Sequence, residues 1–310
     1  MAKRIGLLYG QEREFPHVLA QEINRRGRGE VVSEPLVTGA PRIDRKPPYD
    51  LIVDRISHEL PFYRTYLKEC AFFGTQVVNN PFWFSADDKY FGTIVAQACG
   101  VGVPRTVLLP SKQHPPNTEG ASFSNLRFPL EWEEVFDYLK FPIYLKPANG
   151  GGWKHVYRCA HPDEFFASYE QTSDICMMAQ EEIVFQEYYR CYVLGRDQVH
   201  LMRYDPKAPF HERYVRNPPP IDKALKTRME RDCRALCKAL GYDFNTVELA
   251  VRGGVPYAID FTNPCPDAAL ASVGDENFKW IVNASADFLI RRAKEPRKLE
   301  LSGNWPERAS

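Results

Sequence analysis

Apolar and polar positions alternate most regularly in the range 246–263, where two short segments follow each other. Every second residue of each segment is apolar: Val247, Leu249 and Val251, then Tyr257, Ile259 and Phe261. A period of two is typical of a half-buried β-strand. Gly253 and Gly254 lie between the segments and supply a turn, so the pattern predicts a β-hairpin.

The polar positions of this hairpin include two acids, Glu248 and Asp260. A loop with an odd number of residues, for instance Gly253, Gly254 and Val255, puts both apolar sets on one face and the acids directly opposite each other. Their Cβ atoms are then about 4.5–5.5 Å apart. Like charges at that distance repel, and a cation between them relieves the repulsion; hard oxygen ligands suit Mg²⁺. The alternative is two carboxylates on a solvated outer face.

The rest of the chain alternates predicted strands and helices with short connections, which is typical of an α/β protein with a parallel sheet. In the first part, strands are predicted at 4–9, 31–37 and 50–56, and helices at 15–26 and 61–73. Further along, strands are predicted at 105–109, 142–146, 156–159, 177–183, 192–194 and 199–204, and helices at 132–140, 163–170, 223–240 and 278–294. Another helix runs from Lys89 to about Cys99, with Ser85 as its cap and Asp88 reaching back.

Charge and composition exclude several classes of protein. The 310 residues carry 40 Lys and Arg against 40 Asp and Glu, without a basic block, which argues against nucleic acid as a partner. No apolar run approaches the roughly 20 residues needed to span a membrane. The eight cysteines contain no Cys-x-x-Cys pair, so reduced thiols in a cytoplasmic protein are expected.

A run of three glycines, Gly150, Gly151 and Gly152, lies between two predicted strands and follows Lys146 closely. Glycines let backbone N–H groups approach an anion without obstruction by Cβ atoms. A lysine at the end of a strand can reach the same phosphates as a point charge. The segment lacks the spacing of a Walker loop, and an ordinary hairpin turn is the alternative interpretation.

Four stretches of the chain, in this order, resemble the ATP-grasp superfamily, and most closely its glutathione-synthetase and RimK-type carboxylate–amine ligases: SADDKYF, FPIYLKPANGGG, MAQEEI…YRCYVLG and VELAV…AIDFTNP. They span roughly Ser85 to Pro266. The resemblance implies an α/β protein in which an ATP-grasp fold of α+β subdomains follows a Rossmann-like N-terminal domain. The implied domains are 1–84, the N-terminal α/β domain, 85–182, the central subdomain with the glycine-rich loop, and 183–310, the subdomain with the magnesium site.

The resemblance also implies which residues bind the nucleotide, which lies between two subdomains in that family. Lys89 and Lys146 would face the phosphates, and the glycine run would form a flexible lid over them. The backbone of one strand would read the adenine edge; its residues are Gln180, Glu181, Glu182 and Ile183. A second Gln-Glu pair competes for this assignment, and its Glu187 is an alternative ribose ligand.

Glu248, Asp260 and Asn263 match the magnesium ligands of the family, so the resemblance implies Mg²⁺, two ions, with Mn²⁺ as a substitute. One departure concerns Asn263, because the family reads acid-x-Asn and this chain has two residues between Asp260 and the asparagine. On a regular strand Asn263 would point away from Asp260. A bulge, or a turn enforced by Pro264, would bring it back.

Arginines complete the implied active site. Arg190 would face the transferred phosphate and the acyl intermediate beside Lys146, and Arg203 is a further catalytic candidate. Weaker candidates for binding the acid substrate are Arg55, His58 and Arg216. Arg55 suits a carboxylate through bidentate pairing and follows a predicted strand, where ligands of α/β sheets gather.

The resemblance implies a ligase that uses ATP to convert a carboxylate into an acylphosphate, joins it to an amine or a thiol, and releases ADP and phosphate. Its expected substrates are small molecules or peptides, and a homodimer is expected. The alternatives are an ATP-grasp kinase that phosphorylates a small molecule, and a nucleotide-binding module without catalytic activity.

Overall fold

The computed structural model describes residues 1–12, 14–82 and 88–298, except for the side chain of Phe210. These residues form two compact units. The first unit draws on Met1–Phe84, Glu187–Leu249 and Asp260–Ser310, and the second on Ser85–Gln186 and Ala250–Ile259. The division into domains at 1–84, 85–182 and 183–310 stays a prediction.

Four parallel strands begin the first unit and confirm the predicted parallel sheet. The elements in chain order are β1 (Lys3–Tyr9), α1 (Glu14–Gly27), β2 (Val31–Pro35), β3 (Leu51–Arg55), α2 (Pro61–Phe72) and β4 (Gln76–Val78). The strand order is β2-β1-β3-β4. The strands are apolar on both faces, as in a sheet covered by helices; Ile5, Leu51 and Ile52 are fully buried.

The second unit contains an antiparallel sheet of order β5-β8-β6-β7. Its elements are α3 (Lys89–Ala98), β5 (Thr106–Leu109), α4 (Trp132–Leu139), β6 (Ile143–Pro147), β7 (Tyr157–Cys159), α5 (Pro162–Glu170) and β8 (Met177–Glu181), with a 3₁₀ turn at Gly120–Phe123. A fully buried apolar cluster that includes Leu139, Ile143 and Phe165 holds α4 and α5 against this sheet.

The start of α3 differs from the prediction. Asp88 is itself the N-cap, and its side chain accepts a hydrogen bond from the backbone N–H of Phe91 at 2.8 Å. The predicted cap, Ser85, lies outside the described residues. Asp88 fits this position because a carboxylate satisfies the unpaired N–H groups of a first helical turn as well as a serine does.

The third sheet has the order β10-β9-β11-β12. The last elements of the chain are β9 (Glu187–Leu194), β10 (Gln198–Arg203), α6 (Lys223–Leu240), β11 (Phe244–Arg252), β12 (Val255–Asp260), α7 (Leu270–Val273) and α8 (Asp275–Lys294), with a 3₁₀ turn at Phe210–Glu212. Strand β9 begins five residues before the predicted start. Its first half contains polar side chains, which interrupt the apolar run on which the prediction relied. Among the described residues, no helix combines the length and apolar character needed to cross a membrane.

The predicted hairpin is confirmed as β11 and β12, but its turn has two residues and not three. Gly253 and Gly254 both have positive φ, 58° and 73°, which defines a type I′ turn that Val255 does not enter. The buried side chains of β12 are therefore those of Pro256 and Ala258, whereas the predicted alternation put Tyr257 and Ile259 on the apolar face. The predicted loop with an odd number of residues, which would set Glu248 directly opposite Asp260, is therefore wrong.

Candidate functional site

Glu248 lies in β11 and is held by two side chains of the neighbouring strand β9. The hydroxyl of Tyr188 donates a hydrogen bond to Glu248 Oε2 at 2.6 Å. The guanidinium Nε of Arg190 lies 3.5 Å from Glu248 Oε1. Tyr188 and Arg190 are two positions apart on β9 and so share one face of the sheet. Both carboxylate oxygens of Glu248 thus have a donor or a positive charge beside them.

Arg190 is surrounded by aromatic side chains as well as by this acid. Its Nη1 donates to the hydroxyl of Tyr214 at 3.3 Å, and its guanidinium lies 5.6 Å from the ring centre of Tyr204. Burial is the largest single influence on the pKa of Arg190 and lowers it, but Glu248, Tyr214, Tyr204 and Asp267 together outweigh burial and raise the net pKa. Arg190 is therefore a permanent positive charge with only 14% of its side chain exposed.

Asp260, the last residue of β12, acts on the same phenol as Glu248. Burial is the largest cause of the strongly raised pKa of Tyr188, and the negative charges of Glu248 and Asp260 raise it further. Two acids therefore influence one buried hydroxyl, although the two-residue turn does not pair them directly. The phenol stays protonated and remains a donor to Glu248 at neutral pH.

Asn263 lies beyond the end of β12, so strand alternation does not govern where its side chain points. Its backbone N–H donates to Asn245 Oδ1 at 2.7 Å, and Asn245 Nδ2 donates to the carbonyl oxygen of Phe261 at 2.7 Å. Asn245 is fully buried and ties the segment after Asp260 to β11. Strand alternation therefore does not turn Asn263 away from Asp260. The role of Asn263 as a metal ligand stays a prediction.

The donor set of this region is compatible with magnesium. Among the described residues, no group of three or more His, Cys, Asp or Glu side chains is placed to hold a metal ion. Two carboxylates and one carboxamide are nevertheless hard oxygen donors, and Mg²⁺ is usually held by one or two protein carboxylates with water and phosphate oxygens in its other positions. Glu248, Asp260 and Asn263 fit that pattern chemically.

Arg203 belongs to the opposite face of the β9–β10 hairpin from Arg190. In the antiparallel register, Arg203 pairs with Tyr189 and Arg190 pairs with Met202. Arg203 forms an ion pair with Glu187, and it donates to the hydroxyl of Tyr189 at 2.8 Å. The two predicted catalytic arginines therefore contact different acids. Arg190 lies beside Glu248, and Arg203 pairs with the alternative ribose ligand Glu187.

Lys146 lies in β6 of the second unit, and its acceptors include a side chain and a backbone carbonyl. Its Nζ donates to Gln180 Oε1 at 2.9 Å and to the carbonyl oxygen of Ile259 at 3.2 Å. Gln180 is in turn positioned by its own amide, which donates to Thr106 Oγ1 at 3.0 Å. Ile259 directly precedes Asp260 in the chain. A lysine ammonium is thus bonded to the peptide unit adjoining one of the two acids.

The glycine run lies in an exposed loop between β6 and β7, as predicted. Gly150 and Gly152 have φ values of 84° and 75°, which side chains disfavour, and a Cβ atom added to any of the three glycines would meet nothing within 4 Å. The loop therefore leaves open space beside its backbone. The backbone N–H of Lys89, the first residue of α3, donates to the carbonyl oxygen of Ala148 at 2.8 Å and fixes the start of that helix to the beginning of this loop.

The proposed adenine-reading strand has its acids already paired with arginines. Glu181, 8% exposed, pairs with Arg105 and also with Arg252, whose Nη1 lies 3.1 Å from Glu181 Oε1. Glu182 accepts from Arg158 at 2.9 and 2.7 Å. Ile183 is buried. The two acids of this segment are thus committed to local ion pairs, which leaves the main chain as the part suited to read a base.

The three weak substrate candidates contact residues other than Glu248. Arg55 is buried and forms a bidentate pair with Glu12 at 2.6 and 2.9 Å. His58 lies 3.6 Å from Glu59. Arg216 is exposed and donates to the carbonyl oxygen of Ala271 at 3.4 Å. Each of them has a local structural role in the first unit.

Sequence reasoning missed the tyrosines around Glu248 and Arg190. Tyr188, Tyr204 and Tyr214 are buried, and a tyrosine in an apolar run reads as a core aromatic. Glu12, the partner of Arg55, was also missed, since nothing near it in the sequence indicates a partner 43 positions away. For Tyr188 a signal existed, because its position two residues before Arg190 puts it on the same face of any strand.

Solved structures share the fold over nearly the whole chain. A D-alanine–D-alanine ligase from Bacillus anthracis complexed with ATP has a TM-score of 0.66 at 18% identity, covering 96% of this chain and 100% of that one. A RimK domain ATP-grasp protein from Sphaerobacter thermophilus has a TM-score of 0.66 at 18% identity, covering 92% and 98%. The ATP-grasp ligase PsnB, complexed with a phosphomimetic variant of its minimal precursor, Mg and ADP, has a TM-score of 0.62 at 14% identity, covering 93% and 98%.

No protein-family model matches the sequence, and no curated protein matches it either. The chain has the ATP-grasp fold, as the four sequence stretches predicted. Identities of 14% to 18% establish similarity of fold and not of substrate.

Proposed function

We propose that this protein is an ATP-dependent ligase that converts a carboxylate into an acylphosphate, joins it to an amine or a thiol, and releases ADP and phosphate. The observation that carries the proposal is the held carboxylate of Glu248, with Tyr188 on one oxygen and Arg190 beside the other, within a fold shared with ATP-grasp ligases. Buried acids and bases in such contact are expensive to maintain without a function.

Glu248, Asp260 and Asn263 would hold magnesium. When bound, Mg²⁺ supplies charge neutralisation between the β- and γ-phosphates of ATP. Tyr188 acts as a positioning residue here, because its hydrogen bond fixes the rotamer of Glu248. A ligating carboxylate that is held by a neighbouring donor loses less conformational freedom when the metal binds.

The phosphates would be bound by Lys146 and Lys89, with the glycine run at 150–152 closing over them. The contacts of Lys146 support this role, because its ammonium donates to the carbonyl oxygen of Ile259, the residue directly before Asp260. Exposed glycine backbone with open space beside it suits a lid that excludes water from an acylphosphate.

Arg190 would stabilise the phosphoryl group in transfer. Its guanidinium is permanently charged and largely desolvated, and electrostatic stabilisation is strongest in such surroundings. Arg203 would act differently. Its ion pair with Glu187 supports a role in orienting the alternative ribose ligand rather than in catalysis.

The adenine edge would be read by the main chain of Gln180, Glu181, Glu182 and Ile183, and the first four strands would form the Rossmann-like domain that precedes an ATP-grasp fold. The acid substrate would be a small molecule or a peptide. Arg55 would bind it only by releasing Glu12, because Glu12 already occupies the guanidinium fork.

The proposal is tested by measuring ADP release with Mg²⁺ and ATP against pairs of carboxylates and amines, including amino acids, di-acids and short peptides. Turnover should require both substrates, and ADP and phosphate should form in equal amounts. Glu248→Gln and Asp260→Asn should lower kcat at least about 1,000-fold, since each removes a charge that the transition state requires.

Matched controls are Glu170→Gln and Asp163→Asn, whose side chains are 63% and 99% exposed. Both should keep wild-type turnover. Formation of AMP and pyrophosphate would contradict the proposal, and wild-type rates in Glu248→Gln would remove that residue from the site. A stable phosphorylated product without an amine requirement would instead identify a kinase.

A further inference from the structure

Three arginines of the first unit converge on one buried carboxylate, that of Asp243. Arg196 Nε lies 3.1 Å from Asp243 Oδ1, and Arg292 Nη2 and Arg297 Nη1 each lie 3.2 Å from the same oxygen. The Asp243 side chain is 4% exposed. We call Asp243 and these three arginines the arginine cluster. It begins directly before β11 and involves none of the residues proposed to bind ATP or magnesium.

The arginine cluster carries more positive charge than its acid neutralises. Arginine stays protonated at any physiological pH, so three positive charges meet one negative charge. Burial is the main cause that lowers the pKa of Arg292, and the positive charges of Arg297 and Arg196 lower it further against the opposing effect of Asp243. The negative end of helix α8 offsets only about half a charge. An excess of positive charge remains.

The backbone holds this charge in place. Arg196 adopts a φ of 67° in the turn between β9 and β10, a backbone conformation that residues other than Gly, Asn and Asp rarely adopt. On the acid side, the backbone N–H of Asp243 donates to Asn79 Oδ1 at 2.8 Å, and its carbonyl oxygen accepts from Gly195 N–H at 2.7 Å. A strained residue held by its surroundings is a common mark of a functional position.

Next to the arginine cluster is a cavity of about 170 Å³, lined by Gly195, Phe288, Arg291, Arg292, Glu295 and Arg297. A second cavity, of about 20 Å³, shares Arg292 and Arg297 and adds Lys298 and Arg196. All three cluster arginines therefore face both a carboxylate and open space, and Arg292 and Arg297 line both cavities. Phe288 supplies the only aromatic surface among the residues that line the larger cavity.

We propose that the arginine cluster and its larger cavity bind a phosphate-type oxyanion, either inorganic phosphate or the phosphate group of a small metabolite. Guanidinium groups match the geometry of phosphate oxygens through paired N–H donors, and several positive charges favour a dianion over a monoanionic carboxylate. Along β11, Asp243 precedes Glu248 by five residues, or about 17 Å of extended strand. The proposed anion site is thus separate from Glu248 and does not depend on the proposed function.

The experiment is calorimetric titration of the intact protein with sodium phosphate, glycerol 3-phosphate and sodium acetate, at constant ionic strength set with sodium chloride. Both phosphates should bind at one site and acetate should bind at least about ten-fold more weakly. Similar affinities for the two phosphates identify the phosphate group as the whole determinant, whereas tighter binding of the ester identifies a metabolite as the occupant.

Variants locate the site. Arg297→Gln, at a half-exposed residue outside the proposed catalytic machinery, should weaken phosphate binding about ten-fold and leave ADP release unchanged. Arg42→Gln, whose side chain is 74% exposed, is the matched control and should bind within about two-fold of wild type. Asp243→Asn should tighten phosphate binding, because it removes the competing carboxylate. A purely structural ion network would not gain affinity in this way.

Three results would overturn the proposal: no phosphate binding up to millimolar concentrations, unchanged binding in Arg297→Gln, or binding that is lost in Lys146→Gln and kept in Arg297→Gln. The last result would assign the phosphate to the nucleotide site. If Asp243→Asn fails to fold, as judged by circular dichroism, the comparison of Arg297→Gln with Arg42→Gln still decides the question.

Discussion

Replacement of Tyr188 by phenylalanine is the most direct test of how Glu248 is held. The substitution removes one hydroxyl, which donates to Glu248 Oε2 at 2.6 Å, and keeps the ring that fills the core. Tyr188 is 6% exposed, so water cannot easily replace the lost donor. The change therefore removes this hydrogen bond without creating a cavity of the size left by a truncated ring.

The expected loss follows from the kind of bond. A hydrogen bond to a charged acceptor contributes about 1.5–3 kcal/mol, and a short bond between buried groups belongs in that range. We expect Tyr188→Phe to lower the free energy of unfolding by about 2 kcal/mol. Burial, and then the charge of Glu248, raises the pKa of Tyr188 well above its usual value. The donor should therefore remain protonated, and the effect should persist, up to at least about pH 10.

The assay is urea denaturation of wild type, Tyr188→Phe, Glu248→Gln and the double variant. If the hydroxyl acts through Glu248, the two changes are not additive, and the coupling free energy should be about 1–2 kcal/mol. Tyr138→Phe is the matched control, because Tyr138 is 51% exposed and its loss of a hydroxyl should change stability by no more than about 0.5 kcal/mol.

Additivity within about 0.5 kcal/mol would refute this reasoning, since independent sites behave in that way. It would show that Tyr188 and Glu248 stabilise the protein separately and that Tyr188 is not a positioning residue. In the same variants, the Mg²⁺ concentration needed for half-maximal ADP release should rise about ten-fold or more in Tyr188→Phe. An unchanged requirement would limit Tyr188 to stability.

Three further predictions concern other parts of the molecule. Because Arg190 and Arg203 lie on opposite faces of one hairpin, Arg190→Gln should lower kcat about 100-fold and Arg203→Gln should mainly raise KM for ATP; equal effects on kcat in steady-state assays would contradict this. Hydrogen bonds from two arginines lower the pKa of Glu22 from 4.5 to about 2, so the stability that it adds, about 1 kcal/mol at most, should be complete above about pH 5 and disappear as the pH falls towards 2. Urea denaturation of Glu22→Gln against pH checks the direction. Gly195→Ala should cost about 1–2 kcal/mol, because φ is 62° and the new Cβ would lie 2.9 Å from Phe288; an unchanged urea midpoint would disprove it.

Local signals in the sequence were sufficient for the strands around the site. The two strands β11 and β12, the strand that carries Lys146, and the exposed glycine loop after it were all predicted, because each depends on neighbours within a few residues. The parallel sheet at the N-terminus was predicted from alternation of strands and helices for the same reason. The ATP-grasp fold itself was predicted from the resemblance of four sequence stretches to that superfamily.

The errors arose where a conformation or a partner is not local. Whether Val255 belongs to the turn depends on both preceding glycines taking positive φ, which their sequence permits but does not require. The opposite faces of Arg190 and Arg203 follow from a register that only the paired strands define. Tyr188 meets Glu248 across 60 positions, a pairing that no spacing rule detects.

The two units have a consequence for how the chain folds. The first unit takes residues from three separate stretches, so no single cut in the polypeptide releases either unit whole. During synthesis, the parallel sheet of β1–β4 is made before the segment that begins at Asp260, which emerges some 176 residues after position 84. At roughly 5–20 residues per second, that is a wait of about 9–35 s. Among the described strands, β1–β4 therefore wait longest for the rest of their unit, and during that wait they are open to degradation or to capture by chaperones.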